Sequence, residues 1–512
     1  MAAETTLKAL YERRSSDRTQ FLQRARHNAL LTIPSLMPLE GQSGTSHLVE
    51  PYQGVGAAGT VHLSSRITIG LLPAGRPFMR LDLPPEVKMQ NGGEVPVEMQ
   101  KQLSMVEQLI QGEAETSGWR TATLQSIQQL LVAGNVVEYM QPNNTIRLYR
   151  LDQFTVRRDH LGRILELIIM EKFSRDEAPL EVQGLENGGT VDMEEKVELY
   201  TAVRLERDGD LEFYQRTQEW GSGDKAGGVT NWDLNEMPYL ALRWAATPGE
   251  DYGRGKVEEH IADLRSLDGL DKAALEMAGM GSRNFVMIRP GANASSIKNR
   301  LVRALNGDVV VGDPDSVELK SFVNSAGYQI TAAQADVLRG SLSRAFLLAS
   351  GGQRNAERVT ATEIERDIQE LEAALGGTFS ALAQDMMEKR TQILMISMKE
   401  AQKLPPFPSG ALVPTILTGL EALSRERDVN RAMTAAQVTQ AFGESAADVV
   451  KTDVILGRAF IGLGFPDAVN SPEEVAAIRE QKQQAEQQQA MMQNVAPGVA
   501  QELTKQAGQG EE

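Results

Sequence analysis

The residues Gly54-Val55-Gly56-Ala57-Ala58-Gly59 match G-x-G-x-x-G letter for letter. That spacing lets backbone amides approach a dinucleotide pyrophosphate at a helix N-terminus. The chemistry also needs a buried strand directly before the glycines and an acidic residue about 20 positions beyond them. Here the preceding run, His47-Leu48-Val49-Glu50-Pro51-Tyr52-Gln53, makes a poor strand, because Pro51 has no N–H for a ladder. Asp82 stands near the required distance, but Pro73 and Pro77 interrupt the unit. Glycines that let a helix pack closely explain the string better. A dinucleotide-binding enzyme resting on Gly54–Gly59 is kept as the alternative function.

Other chemistries fall away. The Gly255-Lys256 pair is followed by Val257 and has Glu250 where a P-loop places its first glycine. His27, His47, His62, His160 and His260 are scattered, without H-E-x-x-H or another ligand spacing. Glu258-Glu259 and Glu473-Glu474 are adjacent carboxylates that point apart on a helix. No G-x-S-x-G elbow occurs. The chain has no Cys, which excludes thiolate metal sites, Cys nucleophiles and disulfides. The expectation is therefore no cofactor, no metal, no catalytic residue and no enzyme activity.

The elements that would position any site follow from length and patterning. The 512 residues, 41% hydrophobic, supply large cores and about three domains. A formal net charge of −17 argues against a protein that coats DNA or an anionic membrane. No stretch approaches the ~20 apolar residues of a membrane span, and the first residues lack a secretory signal's apolar region, so synthesis and folding in the cytosol are expected. Helices are predicted from Thr6 to Ile33, carrying Arg13, Arg14, Arg18, Arg24 and Arg26 on a face read as solvated, and from Pro96 to Ala133. Short strands follow at Val136–Met140, Ile146–Arg150, Phe154–Arg158 and Ile164–Phe173. A hairpin alternates from Val197 to Leu205, turns at Asp208-Gly209 and resumes at Leu211 and Phe213.

Beyond Gly255 the chain turns helical, with apolar residues recurring from Val257 to Met277. An irregular unit contains Arg289-Pro290-Gly291, a Val309-Val310-Val311 strand and Gly312-Asp313-Pro314. A second helix runs from Ile330 to Leu348, then a basic Gly-containing loop, Ser350–Arg358. Thr360 and Glu363 form a capping box opening a long helix to Lys403, interrupted at Gly376-Gly377 and ended by Pro405-Pro406. Ser471-Pro472-Glu473-Glu474 starts another helix, which passes into a Gln-rich, frayed and then disordered tail.

Several strings, in order, resemble the head-to-tail connector (portal) proteins of short-tailed bacteriophages. They are Tyr52–Gly59, Leu130–Asn135, Asp251–Glu259 with Asp263–Leu267, Glu357–Ile364, Leu375–Gly377 and Pro414–Ala422. Together they span roughly Leu7 to Gln484, with departures at Asp176–Glu194, Gly221–Thr230 and Gly291–Asp315. The resemblance implies an α+β, predominantly helical portal fold. Its parts would be a wing (1–254), stem helix 1 (255–281), a small α/β clip (282–325), stem helix 2 (326–349), a channel loop (350–358), a long wing helix (359–403), a helical crown (404–470) and the tail (471–512).

The family further implies a homo-dodecamer at one capsid vertex of the virion, assembled in the host cytoplasm, through which double-stranded DNA is packaged and ejected. Implied partners are a terminase ATPase, capsid and scaffold proteins, tail adaptors and internal core proteins, with no membrane. On that reading Arg354 and Arg358, with Lys256, Arg339 and Arg344, line the channel as sparse positive rings; intersubunit salt bridges are the competing role for Arg339 and Arg344. Lys298, Arg300, Arg303, Asp308, Asp313, Asp315 and Glu318 are candidates for docking at the clip, beside a merely solvated loop.

Overall fold

The computed structural model describes residues 6–42, 45–73, 78–82, 97–177, 196–281, 284–291, 294–305, 309, 315, 317–321, 325–348, 370–371, 373–404, 413–415, 434–435, 437, 456–457, 460, 469–470 and 474–487. Two compact units emerge: residues 1–74 with 114–396, and residues 75–113 with 397–512. The labels below belong to the first.

Helix α1 (Leu7–Leu30) is capped by Thr6, whose hydroxyl accepts the Ala9 N–H. Its Leu7 and Tyr11 pack with Ile168, Tyr200 and Ala202, placing the helix on a sheet face. The arginines of this helix are largely used inside the subunit. Arg14 faces Glu166 at 3.4 Å, Arg24 faces Glu258 at 3.4 Å, and buried Arg18 donates to the Leu151 and Phe154 carbonyls. Helix α2 (Val55–Leu71) contains most of the glycine string, and helix α3 (Trp119–Ala133) buries ten of its fifteen residues.

The continuous helical pattern from Pro96 to Ala133 is in fact two helices, Val97–Thr116 and α3. Gly118, at φ +72°, adopts a left-handed conformation that stops the first and precedes the second.

A three-stranded antiparallel sheet has the order β2-β1-β8, formed by β1 (Asn135–Met140), β2 (Ile146–Tyr149) and the later β8 (Tyr239–Arg243). A five-stranded antiparallel meander lies between them in sequence: β3 (Phe154–Arg158), β4 (Ile164–Ser174), β5 (Lys196–Asp208), β6 (Leu211–Trp220) and β7 (Thr230–Asp233). The β5–β6 hairpin closes on the pair Asp208–Leu211 with Gly209 at φ +63°, as the alternation predicts.

The chain then runs through α4 (Lys256–Glu259) and α5 (Ile261–Gly281), strand β9 (Asn284–Ile288), helix α6 (Ala294–Arg303), strand β10 (Val317–Ser321) and α7 (Ser325–Ala345). Helix α7 begins five residues before the predicted Ile330. The irregular unit contains an antiparallel β9–β10 hairpin that the sequence reading did not place. Val309 carries no strand, and Val310 and Val311 lie outside the described residues.

The predicted interruption at Gly376-Gly377 is present, both glycines having positive φ. It leads into α8 (Thr378–Leu382), a π-helical turn (Ala383–Glu388) and α9 (Lys389–Glu400). The Thr360–Glu363 capping box and Pro405-Pro406 fall outside the described residues. At the core, Arg390 of α9 and Glu138 of β1 form an ion pair with no exposed side-chain surface. Ser126 donates to Glu138, and Arg390 donates to Thr123 Oγ1 at 2.6 Å.

In the second unit, Arg80–Asp82 pairs antiparallel with Val413–Thr415. The Leu81 N–H donates to Glu107 Oε1 at 2.8 Å, and Lys403 meets Glu113 at 3.0 Å. Residues 474–487 are helical, and residues 471–473 of the start expected at Ser471-Pro472-Glu473-Glu474 lie outside the described residues.

Candidate functional site

Helices α5 and α7 pack side by side through buried Leu264, Leu267, Ala335 and Leu342, and the β9–β10 hairpin and α6 lie between them in sequence. Arg339 Nη2 meets Asp271 Oδ1 at 2.6 Å across the pair, while its Nη1 meets Asp336 at 2.7 Å. Arg339 thus finds its partners within one subunit.

The base of this pair is held by the strings singled out in the sequence. The backbone N–H groups of Tyr52 and Gln53 donate to Asp268 Oδ1 at 2.6 and 3.3 Å, and the Lys272 ammonium lies 5.6 Å from the Tyr52 ring centroid. The Gln53 amide donates to the Leu31 carbonyl at 2.6 Å and accepts the Gly56 N–H at 2.8 Å. A Cβ at Gly56 would stand 2.3 Å from the Leu31 oxygen, and one at Gly59 would stand 2.7 Å from the Phe346 ring. The space a pyrophosphate would need is occupied by protein, and among the described residues no strand precedes Gly54. The glycines serve close packing of α2 against the base of α5 and α7.

The Asp251–Val257 string works in the same way. Tyr252 is buried, and its hydroxyl accepts the Val156 N–H. The Asn135 side chain both donates to and accepts from Gly253. A Cβ at Gly134, itself at φ +74°, would lie 2.5 Å from the Gly255 nitrogen. Burial raises the Tyr252 hydroxyl to about 12 and so keeps it neutral.

Three histidines surround the base. The His260 ring packs edge-on to Phe346 at 5.9 Å, and burial, then Lys256, lowers its pKa. Burial and Arg66 lower His62, while a hydrogen bond to the Phe346 backbone opposes them. Burial and Arg265 lower His27, whose Nε2 is 2.6 Å from the Arg265 guanidinium.

Of the residues assigned to a channel, Lys256 is paired with Glu259 at 2.6 Å, Arg339 is paired as described, and Arg344 is exposed near the end of α7. Arg354 and Arg358 lie outside the described residues. Of those assigned to docking, Lys298, Arg300 and Arg303 are exposed on α6, which buries no residue. Asp315 and Glu318 are exposed, Glu318 facing Met287 in the hairpin register, and Asp308 and Asp313 lie outside the described residues. The sequence reading missed Asp271 and Asp268, the carboxylates that organise the pair. Their spacing of three on an amphipathic helix was the available signal.

Among the described residues, no three His, Asp or Glu side chains gather to hold a metal, and no helix is long and apolar enough to cross a membrane. The fold and these motifs define an α+β chain built around a helical pair, with a small strand-pair-and-helix unit inserted between the two helices.

The profile described as "Bacteriophage head to tail connecting protein" matches residues 4–469, and the chain belongs to that family. The portal protein of Escherichia phage T7 is 31% identical over 99% of this chain and 95% of its own length. That of Enterobacteria phage T3 is 32% identical over 84% and 81%. That of Pseudomonas phage phiKMV is 28% identical over 97% and 98%. The α+β portal fold expected from the strings is the fold of this chain.

Proposed function

We propose that this chain is the portal subunit of a short-tailed phage: twelve copies form a closed ring at one capsid vertex and conduct double-stranded DNA inward during packaging and outward during ejection. The supporting observation is the run of α5, the β9–β10 unit with α6, and α7, rooted on the strings that resemble the family's. In this reading α5 and α7 form the stem beside the channel, and residues 282–325 form the clip. Residues 350–358 would be the channel loop, with Arg354 and Arg358 supplying sparse positive charge near the duplex.

The two stem helices together carry five carboxylates and four cations. A near-neutral wall suits passage, since each phosphate neutralised by Lys or Arg adds counterion release and tightens binding. No nucleotide site is read in the sequence, so the energy for translocation comes from a terminase ATPase docked at the clip, where Lys298, Arg300 and Arg303 meet acidic partner surface. Capsid, scaffold, tail-adaptor and internal core proteins complete the contacts, and the ring resides in the virion after assembly in the host cytoplasm.

Negative-stain imaging and native mass of the purified protein test the ring: closed rings with a central hole support it, and a monomer or dimer overturns it. Arg354→Glu is expected to leave rings intact while lowering packaged DNA severalfold. Normal genome filling would remove Arg354 from the channel.

A further inference from the structure

The turn between β3 and β4, strand β8 and the segment around Gly376–Ile393 line an open cavity of about 860 Å³, within the size range of small-molecule sites. Four cations line it, and three of them come from separate elements and are considered first: Arg158 at the end of β3, Arg243 at the end of β8 and Lys389 at the start of α9.

The two guanidinium groups are fixed by carbonyls rather than by carboxylates. Arg158 donates from Nε to the Asp251 carbonyl at 3.0 Å, from Nη1 to Gly162 at 2.9 Å and from Nη2 to Ala241 at 2.7 Å. Arg243 Nη1 donates to the Glu250 carbonyl at 2.9 Å. A guanidinium carries five N–H donors, so these bonds occupy four of ten and leave six. Among the described residues, none of the three cations forms an ion pair within 4 Å.

Two half-buried like charges beside one another are costly without a counter-ion. Burial, and next the neighbouring Arg243, push Arg158 down to about 10. Asp251 and Asp385 offset part of the charge, and both Arg158 and Arg243 still stay below their ordinary value. Asp251 accepts the Arg158 backbone N–H at 2.7 Å, and Asp385 is the single acidic residue in the lining, against four cations. Arg163 also lines the cavity, but it is already held by Asp159 at 2.8 Å and Glu212 at 3.1 Å.

We propose that this cavity is an anion site for a compact oxyanion of the phosphate class, bound by the unused N–H groups of Arg158 and Arg243 and by the Lys389 ammonium. The cations that lack an ion-pair partner outnumber the carboxylate in the lining, which favours an anionic ligand. The fixed guanidinium forks favour an oxyanion over a halide, since they offer paired N–H bonds. A duplex is too wide for the cavity, so the ligand is free phosphate or a phosphate monoester. Bound there, it links β3 and β8 to the segment that follows the Gly376-Gly377 break.

The test is calorimetric titration of the full-length protein with inorganic phosphate at pH 8, in a chloride buffer of matched ionic strength. Arg243→Gln and Lys389→Ala are the variants, because Arg158 also holds three backbone carbonyls and its loss would disturb the fold. Saturable binding to the unmodified protein, weakened about tenfold in each variant, is the expected result, with circular dichroism confirming that both variants are folded. Displacement of phosphate by adenosine monophosphate identifies a monoester site, and phosphate binding that the nucleotide leaves unchanged identifies the free ion; both support the anion site. Absence of saturable phosphate binding, or undiminished binding in both folded variants, overturns it.

Discussion

The Arg390–Glu138 pair shows what a single buried charge demands. Both side chains are fully enclosed, and Ser126 and Thr123 hydroxyls occupy positions around them that water would otherwise fill. Removing one partner strands the other, so Arg390→Met is expected to destabilise the first unit by about 3–5 kcal/mol, whereas replacing both as Glu138→Leu with Arg390→Met recovers a large part of that loss. Urea unfolding of the two variants followed by tryptophan fluorescence checks this, because Trp119 lies beside Arg390. If the double variant is as unstable as the single, the pair contributes more than compensation for its own burial. At Gly59 the demand is for space. A methyl there meets the Phe346 ring at 2.7 Å, so Gly59→Ala is expected to cost about 1–3 kcal/mol. Shortening the ring as Phe346→Leu in the same chain relieves part of it, which thermal melting of the single and double variants measures.

The base of α5 and α7 carries a pH dependence that belongs to the element rather than to one residue. His27, His62 and His260 all have lowered pKa values, chiefly through burial, with Arg265, Arg66 and Lys256 adding repulsion and Glu259 and Asp263 opposing it at His260. The unfolded chain therefore takes up protons first, near pH 6.5. Stability contributed by the neutral rings is complete above that value and is lost as pH falls through the lower folded values. The measured unfolding midpoint should drop between pH 7 and pH 5, and the drop should shrink in His62→Gln/His260→Gln; an unchanged slope would exclude both rings. By contrast, Arg339–Asp271 is partly solvated, and Arg339→Ala is expected to cost under about 1 kcal/mol in the same measurement. Much of this architecture was legible in the sequence. Strict alternation from Val197 to Phe213 gave the hairpin in register, and Gly376-Gly377 marked a real interruption. The missed features depend on partners distant in sequence. Arg80–Asp82 is too short to show a period and exists by pairing with Val413–Thr415. Likewise Arg158 and Arg243, 85 positions apart, become one site through two sheets. The glycine string looked like chemistry because its letters match a phosphate loop, and only the Leu31 carbonyl and Phe346 ring show what the missing side chains make room for.

At the scale of the whole molecule, a net charge of −17 opposes traffic with DNA, and in the proposed ring of twelve it would grow to about two hundred negative charges. The opposition holds for gripping and not for passage. Affinity for duplex rises with the number of phosphates neutralised, and the logarithm of the binding constant falls with the logarithm of salt by about 0.9 per contact. A conduit that made many contacts would hold its cargo at low salt and stall. Rings of the unmodified protein are therefore expected to bind duplex DNA weakly, with a shallow salt dependence. Glu276 is exposed on α5, and in the proposed ring a reversal of its charge would repeat in every subunit. Rings of Glu276→Lys should bind duplex more tightly by at least about tenfold at low salt, with a steeper slope, because several of the new ammonium groups reach phosphates at once. Titrating fluorescent duplex into both rings over a range of salt concentrations measures both quantities. Tight, steeply salt-dependent binding already present in the unmodified ring would show that the channel grips, and the acidity of the chain would then have to act on some other surface.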